Sequence, residues 1–107
     1  MSKNRDLRAI MMTQDDNVAV AVVDLEAGSR VNALRGGEMI QTVIKNSIPF
    51  GHKYAIKKIQ EGEPIVKYGE TIGASTGSID EGEHVHVHNM ASLRGRGDKA
   101  CKVALTP

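Results

Sequence analysis

The chain has 107 residues, a 40% hydrophobic share and three aromatic residues, Phe50, Tyr54 and Tyr68, so it makes one modest domain whose core must come from Val, Ile, Leu, Ala and Met. Fourteen Lys and Arg against thirteen Asp and Glu leave a net charge of +1, which makes no electrostatic case for a nucleic-acid partner or a membrane surface. The single cysteine, Cys101, excludes an internal disulfide framework and a Cys-based zinc ribbon.

Residues 1–7 read as an N-terminal arm. Met1 to Asp6 is basic, but no long apolar segment or small-residue cleavage site follows, so it is no secretory signal. No apolar run approaches the ~20 residues a membrane span needs. A soluble, cytoplasmic protein is expected. Residues 8–91 read as the domain, cut by glycine into pieces of strand length. Residues 7–13 form the first expected strand. Residues 17–25 (NVAVAVVDL) are almost continuously apolar and read as a strand buried on both faces. Residues 36–46 place Met39, Val43 and Ile44 near helical spacing, yet Gly36-Gly37 weaken a helix start, and a strand over 39–44 is favoured. Shorter strands are expected over 54–59, 64–66 and 82–89. The segment from Gly62 to Gly73 reads as strand, Tyr68-Gly69 turn, strand. Turn signals recur about every ten residues, the spacing of a small sandwich or barrel-like β fold. Residues 92–107 read as a tail carrying Arg94, Arg96 and Lys99, with Val103-Ala104-Leu105 as weak support for docking on a partner.

The pattern Ile-x-Glu-Gly-Glu occurs at residues 59–63 and again at 79–83. Each copy is expected to make the same acidic-Gly corner. Asp15 and Asp16, ahead of the valine strand, read as turn formers rather than a carboxylate pair.

The sharpest chemical feature is Glu83-His84-Val85-His86-Val87-His88-Asn89, which holds three of the four histidines. In a strand these three share one face, and Val85 and Val87 point into the core. Residues two apart sit about 6.6 Å apart along a strand, so adjacent histidines can close on one metal ion. His84 and His88, about 13 Å apart by the same rise, cannot. Any ion would therefore take at most two of His84, His86 and His88, plus donors from elsewhere. Spacing alone leaves open whether these histidines serve a metal, a reaction or merely a wetted face. The fourth, His52, follows Pro49-Phe50-Gly51 and precedes Lys53. That turn suits anion binding or proton transfer; taken alone it is a capped corner with an exposed lysine. Lys67, Tyr68 and Glu70 could line a site, or simply flank a β-turn. The chain has no Gly-x-Gly-x-x-Gly, Walker or Gly-x-Ser-x-Gly motif. Cys101 has no histidine near it in sequence.

Four ordered segments carry a resemblance: residues 16–21 (DNVAVA), 48–55 (IPFGHKYA), 65–73 (IVKYGETIG) and 82–89 (GEHVHVHN). Over roughly residues 8–90 the chain resembles the N-terminal domain of altronate dehydratases. It also resembles the small subunit of the related two-subunit sugar-acid dehydratases and sulfolactate sulfo-lyase. The galactarate branch looks less close, sharing the Gly-His-Lys turn and the Tyr-Gly-Glu segment but not the full histidine run. The resemblance implies a SAF-type β-clip, a small, mostly β domain. It also implies β-elimination of water from a hexonate to a 2-keto-3-deoxy acid, with a divalent metal, iron(II) or manganese(II). A base, an acid and a cation for the carboxylate are then required. On this basis His52, Lys53 and His86 are expected catalytic residues. Lys67, Tyr68 and Asn89 are expected at the substrate, and His84, His86 and His88 at the metal. The chain stops at Pro107, where the long dehydratases continue, so it is expected to act with a large catalytic region as a separate small subunit or an excised domain. The isolated chain should be inactive. A sugar acid is the expected substrate, with no nucleic acid and no membrane as partner; a homo-oligomer is left open. The competing expectation is a non-catalytic SAF module that grips a sugar acid or a protein.

Overall fold

The computed structural model describes residues 7–35 and 37–92. Nine strands follow one another: β1 (Leu7–Met11), β2 (Val18–Ala21), β3 (Arg30–Arg35), β4 (Glu38–Val43), β5 (Lys53–Ala55), β6 (Pro64–Lys67), β7 (Glu70–Ser75), β8 (His84–Val85) and β9 (Met90–Ser92). Among the described residues no helix is long and apolar enough to cross a membrane. Six strands pair in the order β4-β3-β1-β2-β5-β8, and β6-β7-β9 form a second sheet. Only β1 and β3 run parallel. This is the small, mostly β domain expected from the sequence.

Strand β2 explains the valine-rich run. Val18 packs in one core cluster with Ala55, Ile59, Ile65, Ile79 and Val85, while Ala19 and Ala21 pack in the other with Ile44, Ile48 and Tyr54. Alternation delivers its side chains to both faces, and both are covered. The strand is shorter than the apolar run. The chain turns after Ala21, and Val23 is exposed. The segment at 38–43 is strand rather than helix, pairing along its whole length with β3. Strand β3 itself was not anticipated. The expected strand over 54–59 stops at Ala55, with Ile59 making an isolated bridge to Ile79. The arm at 1–6 and residues 93–107, with Arg94, Arg96, Lys99, Cys101 and the 103–105 stretch, lie outside the described residues.

The two-copy corner is in fact a four-copy device. Leu25, Ile48, Ile59 and Ile79 each begin a pattern of apolar-x-x-Gly. The backbone N–H after each glycine bonds back to the carbonyl after each apolar residue: Ser29 to Glu26, His52 to Pro49, Glu63 to Gln60 and Glu83 to Asp80. The four glycines, Gly28, Gly51, Gly62 and Gly82, have φ between 84° and 91°. No residue preceding them has positive φ, which makes these type II turns, where the third residue favours glycine. The apolar residues bridge in pairs, Leu25 with Ile48 and Ile59 with Ile79. All four are buried. In the second pair the glutamate after the glycine reaches back: Gln60 N–H donates to Glu63 Oε1 at 2.8 Å and Asp80 N–H to Glu83 Oε1 at 2.6 Å. Two of these four turns deliver histidines. His52 follows Gly51, and His84 follows Gly82 by two residues.

Asp16 and Asn17 lock the second sheet to the first. Asn17 Nδ2 donates to Pro64 O and its Oδ1 accepts from Val66 N–H, both at 2.8 Å, at the irregularity in the β6–β7 register. Asp16 Oδ1 accepts from Gly69 N–H at 2.7 Å and its Oδ2 from Met12 N–H at 2.8 Å. Burial would raise the Asp16 pKa, but these bonds and those from Thr13 outweigh it and hold the carboxyl below its ordinary value. Asp16 is thus the expected turn former and also a clamp on the β6–β7 hairpin. That hairpin turns through Tyr68 (φ 52°) and Gly69 (φ 79°), with Lys67 opposite Glu70. Both central residues have positive φ, the signature of a two-residue type I′ turn.

Candidate functional site

β5 and β8 run antiparallel with Lys53 opposite Val85 and Tyr54 opposite His84. One step further out, His52 faces His86. The His52 and His86 ring centroids are 4.3 Å apart and those of His52 and His84 5.1 Å. His84 and His86 lie 5.5 Å apart with planes only 8° from parallel. His52 Nδ1 and His84 Nε2 are 2.9 Å apart. One nitrogen of each of His52, His84 and His86 falls within 4.8 Å of the others.

The histidine segment is not one long strand. β8 ends at Val85, and residues 86–89 form a turn. The strand opposite ends there too: before Lys53 the chain is in the Pro49–His52 turn, and Gly51 N–H, the next group in line, is bonded to Ala21 O. Asn89 then closes the turn. Its Oδ1 accepts from His86 N–H at 3.0 Å and its Nδ2 donates to His84 O at 2.9 Å. The expectation for the valines is therefore half corrected: Val85 is fully buried, but Val87 is 78% exposed. The 13 Å estimate is corrected too. The turn brings the His88 ring centroid to 5.4 Å from that of His84. His88 remains outside the trio, and His52 takes the place the sequence reading gave it.

His84 is braced on its other side by Asn46, whose Oδ1 accepts the His84 N–H at 3.0 Å. Sequence reasoning passed over Asn46. Its only signal was a turn-forming residue in a short polar run, Lys45-Asn46-Ser47. Asn89 was expected at the substrate, but here both ends of its amide are spent on the turn.

Burial holds His84 down to about 4, with His52, His88, His86 and Lys53 adding unfavourable positive charge. Burial, then His52, Lys53 and His88, also lower His86. Both rings are neutral near pH 7 and keep a lone pair for a proton or a metal. Lys53, partly buried, is lowered by burial and by Lys67. Lys67 Nζ lies 5.5 Å from the centre of the Tyr68 ring. Burial and the Asp16 carboxylate raise the Tyr68 hydroxyl. Among the described residues the one ion pair is Arg35–Glu38, at 3.1 Å, so neither lysine is neutralised by a carboxylate. Lys53 is near enough to His84 and His86 to lower the pKa of both, Lys67 is near Lys53, and Phe50 and Val87 stand exposed on the turns that carry His52 and His86.

Comparison with known proteins gives this arrangement a family. The altronate/galactarate dehydratase SAF domain matches residues 7–93. Over 83 residues the chain is 42% identical to the (2R)-sulfolactate sulfo-lyase subunit alpha of Chromohalobacter salexigens, covering 75% of this chain and 88% of that protein. It is 42% identical over 80 residues to the altronate dehydratase of Bacillus subtilis, covering 75% of this chain and 15% of that protein. For the altronate dehydratase of Escherichia coli the values are 41% over 75 residues, 69% and 14%. The matched segment is thus nearly a whole protein in one relative and a small part of a much longer one in the others. The chain belongs to the altronate/galactarate dehydratase SAF domain family.

Proposed function

We propose that this chain works with a large catalytic region in a β-elimination from a 2-hydroxy acid, of the altronate dehydratase type. The observation that carries the reading is the convergence of the His52-Lys53 turn with His84 and His86. In such a reaction the C2–H bond and the bond from C3 to its leaving group break, a C2=C3 double bond forms, and the enol tautomerises to a 2-keto acid. Loss of water and loss of a sulfo group differ only in what leaves C3. The carboxylate must be stabilised as C2 loses its proton, and the proton must be accepted by a positioned base.

This chain has groups for both demands. Lys53 and Lys67 carry positive charge that no described carboxylate cancels, which suits a substrate carboxylate. Tyr68, beside Lys67, offers a hydroxyl to the substrate's oxygens. His52 and His86 supply imidazole nitrogens that can exchange a proton or hold a divalent metal. The donor set fits iron(II) better than manganese(II), because the converging donors are imidazoles, and such an ion when bound would act as Lewis acid toward the carboxylate. The histidines lie at the end of the β5–β8 pair and on its turns, and on this reading the large region completes the site. A cytoplasmic enzyme belongs to the same reading.

The test is to assay the chain alone, the large region alone and the two together, with metal added, against a panel of hexonates and sulfolactate. Turnover only from the mixture supports the proposal. Turnover by the chain alone would overturn the division of labour. Phe50 and Val87, exposed beside the imidazoles, favour a second reading, a non-catalytic module that grips a partner protein. That reading gains if the two parts associate but the histidines can be removed without effect on rate.

A further inference from the structure

We propose that His52, His84 and His86 form a three-imidazole site for one first-row divalent metal, held by this chain without donors from the large region. The site would supply the metal of the elimination and to that extent rests on the reading above. Metal binding is measured without substrate or partner, so the two can fail separately.

The distances argue for it. Two imidazole nitrogens bound at about 2.1 Å to one ion stand about 3.0 Å apart at right angles and about 3.4 Å apart in a tetrahedron. His52 Nδ1 and His84 Nε2 are already 2.9 Å apart. The His86 nitrogen lies within 4.8 Å of both, so a modest side-chain rotation closes the triangle. His52, His84 and His86 are the one such group among the described residues.

The backbone holds the three donors in place. The β5–β8 pairing ends at Lys53 and Val85, and the turns that follow on each side stack His52 on His86 with ring centroids 4.3 Å apart. Asn46 grips the His84 N–H, and Asn89 grips the His84 carbonyl and the His86 N–H. Positioned donors lose little freedom on binding, which is what a preorganised metal site requires. Three imidazole nitrogens, with no thiolate and no carboxylate, suit iron(II), cobalt(II), nickel(II) or zinc(II) rather than magnesium or calcium, which take oxygen. Three protein donors also leave positions open for a substrate oxygen. A nitrogen bound to a metal is no longer a base, so the proton at C2 then passes to a group from the large region. The rival account is a plain hydrogen bond between His52 and His84, with His86 stacked beside them.

The experiment is a titration of the 107-residue chain with cobalt(II), followed by visible absorption and calorimetry, with competition by zinc(II) and magnesium(II). One equivalent of cobalt should bind, zinc should displace it, and magnesium should not. His52→Ala, His84→Ala and His86→Ala should each weaken binding at least about 10²-fold, whereas His88→Ala changes it by less than about threefold. Asn89→Ala, which loosens the turn without removing a donor, should cost about tenfold. No binding, or a loss in His88→Ala as large as in His84→Ala, would overturn the assignment. Should an alanine variant fail to fold, zinc(II) added to the wild-type chain still decides. Ring NMR signals of His52, His84 and His86 should shift together while His88 stays. A shift of His88 with any of the trio unmoved would contradict the site.

Discussion

Gly62 and Gly82 offer a matched pair of substitutions. Both sit third in the same type II turn, with φ of 84° and 89°. Each donates its N–H to a strand carbonyl at 2.8 Å, Gly62 to Ser75 and Gly82 to Ala55. What differs is the space. A Cβ on Gly62 meets nothing within 4 Å, whereas one on Gly82 would overlap the Val43 carbonyl oxygen, with Val43 C at 3.1 Å and Lys45 N at 3.4 Å. These are backbone atoms of the chain leaving β4, and Lys45 N–H donates to Gly82 O at 2.9 Å. Gly62→Ala should therefore cost only the left-handed conformation, about 1–2 kcal/mol. Gly82→Ala bears the same cost and must also push the backbone aside, a further ~1–3 kcal/mol by analogy with overpacked cores. A small domain has only about 5–15 kcal/mol of stability in total, so the second change is severe but measurable. With a urea slope of about 1.5 kcal/mol per M, each kcal/mol moves the midpoint by about 0.7 M. The Gly82→Ala midpoint should thus fall below that of Gly62→Ala by at least ~0.7 M. Equal midpoints, or a larger loss at Gly62, would refute the packing of the turn that delivers His84.

Two further tests concern buried polar groups. His84 titrates near 6.5 when unfolded and about 4 when folded, so between those values the unfolded chain binds more protons. Stability is then full above about pH 6.5, falls as pH drops through this window, and the histidine's contribution is gone by about pH 4. After discounting for solvent at a partly exposed ring, the loss is about 1–2 kcal/mol. Urea midpoints at pH 7 and pH 4.5 should show it, and His84→Gln should flatten the difference; an unchanged slope in that variant would show that other groups cause it. The Tyr54 side chain is fully buried, and its hydroxyl has no hydrogen-bond partner among the described residues. Tyr54→Phe should therefore be neutral or stabilising by up to ~1 kcal/mol in the same assay, because an unsatisfied group is removed. A loss of more than ~1 kcal/mol would mean that the hydroxyl has a partner.

Much of the fold was legible because alternation and turn chemistry are local. Residues 64–73 declared a hairpin through Tyr68-Gly69, and the valine run declared a strand covered on both sides. β3 escaped notice because its buried residues are only Val31 and Ala33, flanked by Arg30 and Arg35. Two small apolar residues between arginines give a weak signal until β1 and β4 are paired on either side. The four-copy turn was half visible. Glu-Gly-Glu advertised two copies, whereas Leu25 to Ser29 and Ile48 to His52 share only the apolar residue and the glycine. At the site, the sequence singled out the histidines and their neighbourhood but assumed that β8 continued to Asn89. Whether a strand continues depends on whether its neighbour continues, and before Lys53 the neighbour is already in a turn, with Gly51 N–H bonded to Ala21 O. That non-local fact exposes Val87, brings His88 back toward His84, and puts His52 rather than His88 into the trio.

The most direct test of the central claim is turnover by the assembled enzyme carrying His52→Ala or His86→Ala in this chain, with assembly checked by size-exclusion chromatography. If the turn of His52 and Lys53 and the histidine segment form one working site, at least one variant should lose about 10²-fold or more in turnover, the scale of losing either a positioned acid–base group or a metal donor. Two variants that assemble normally and turn over at the wild-type rate would contradict the site while leaving the family intact.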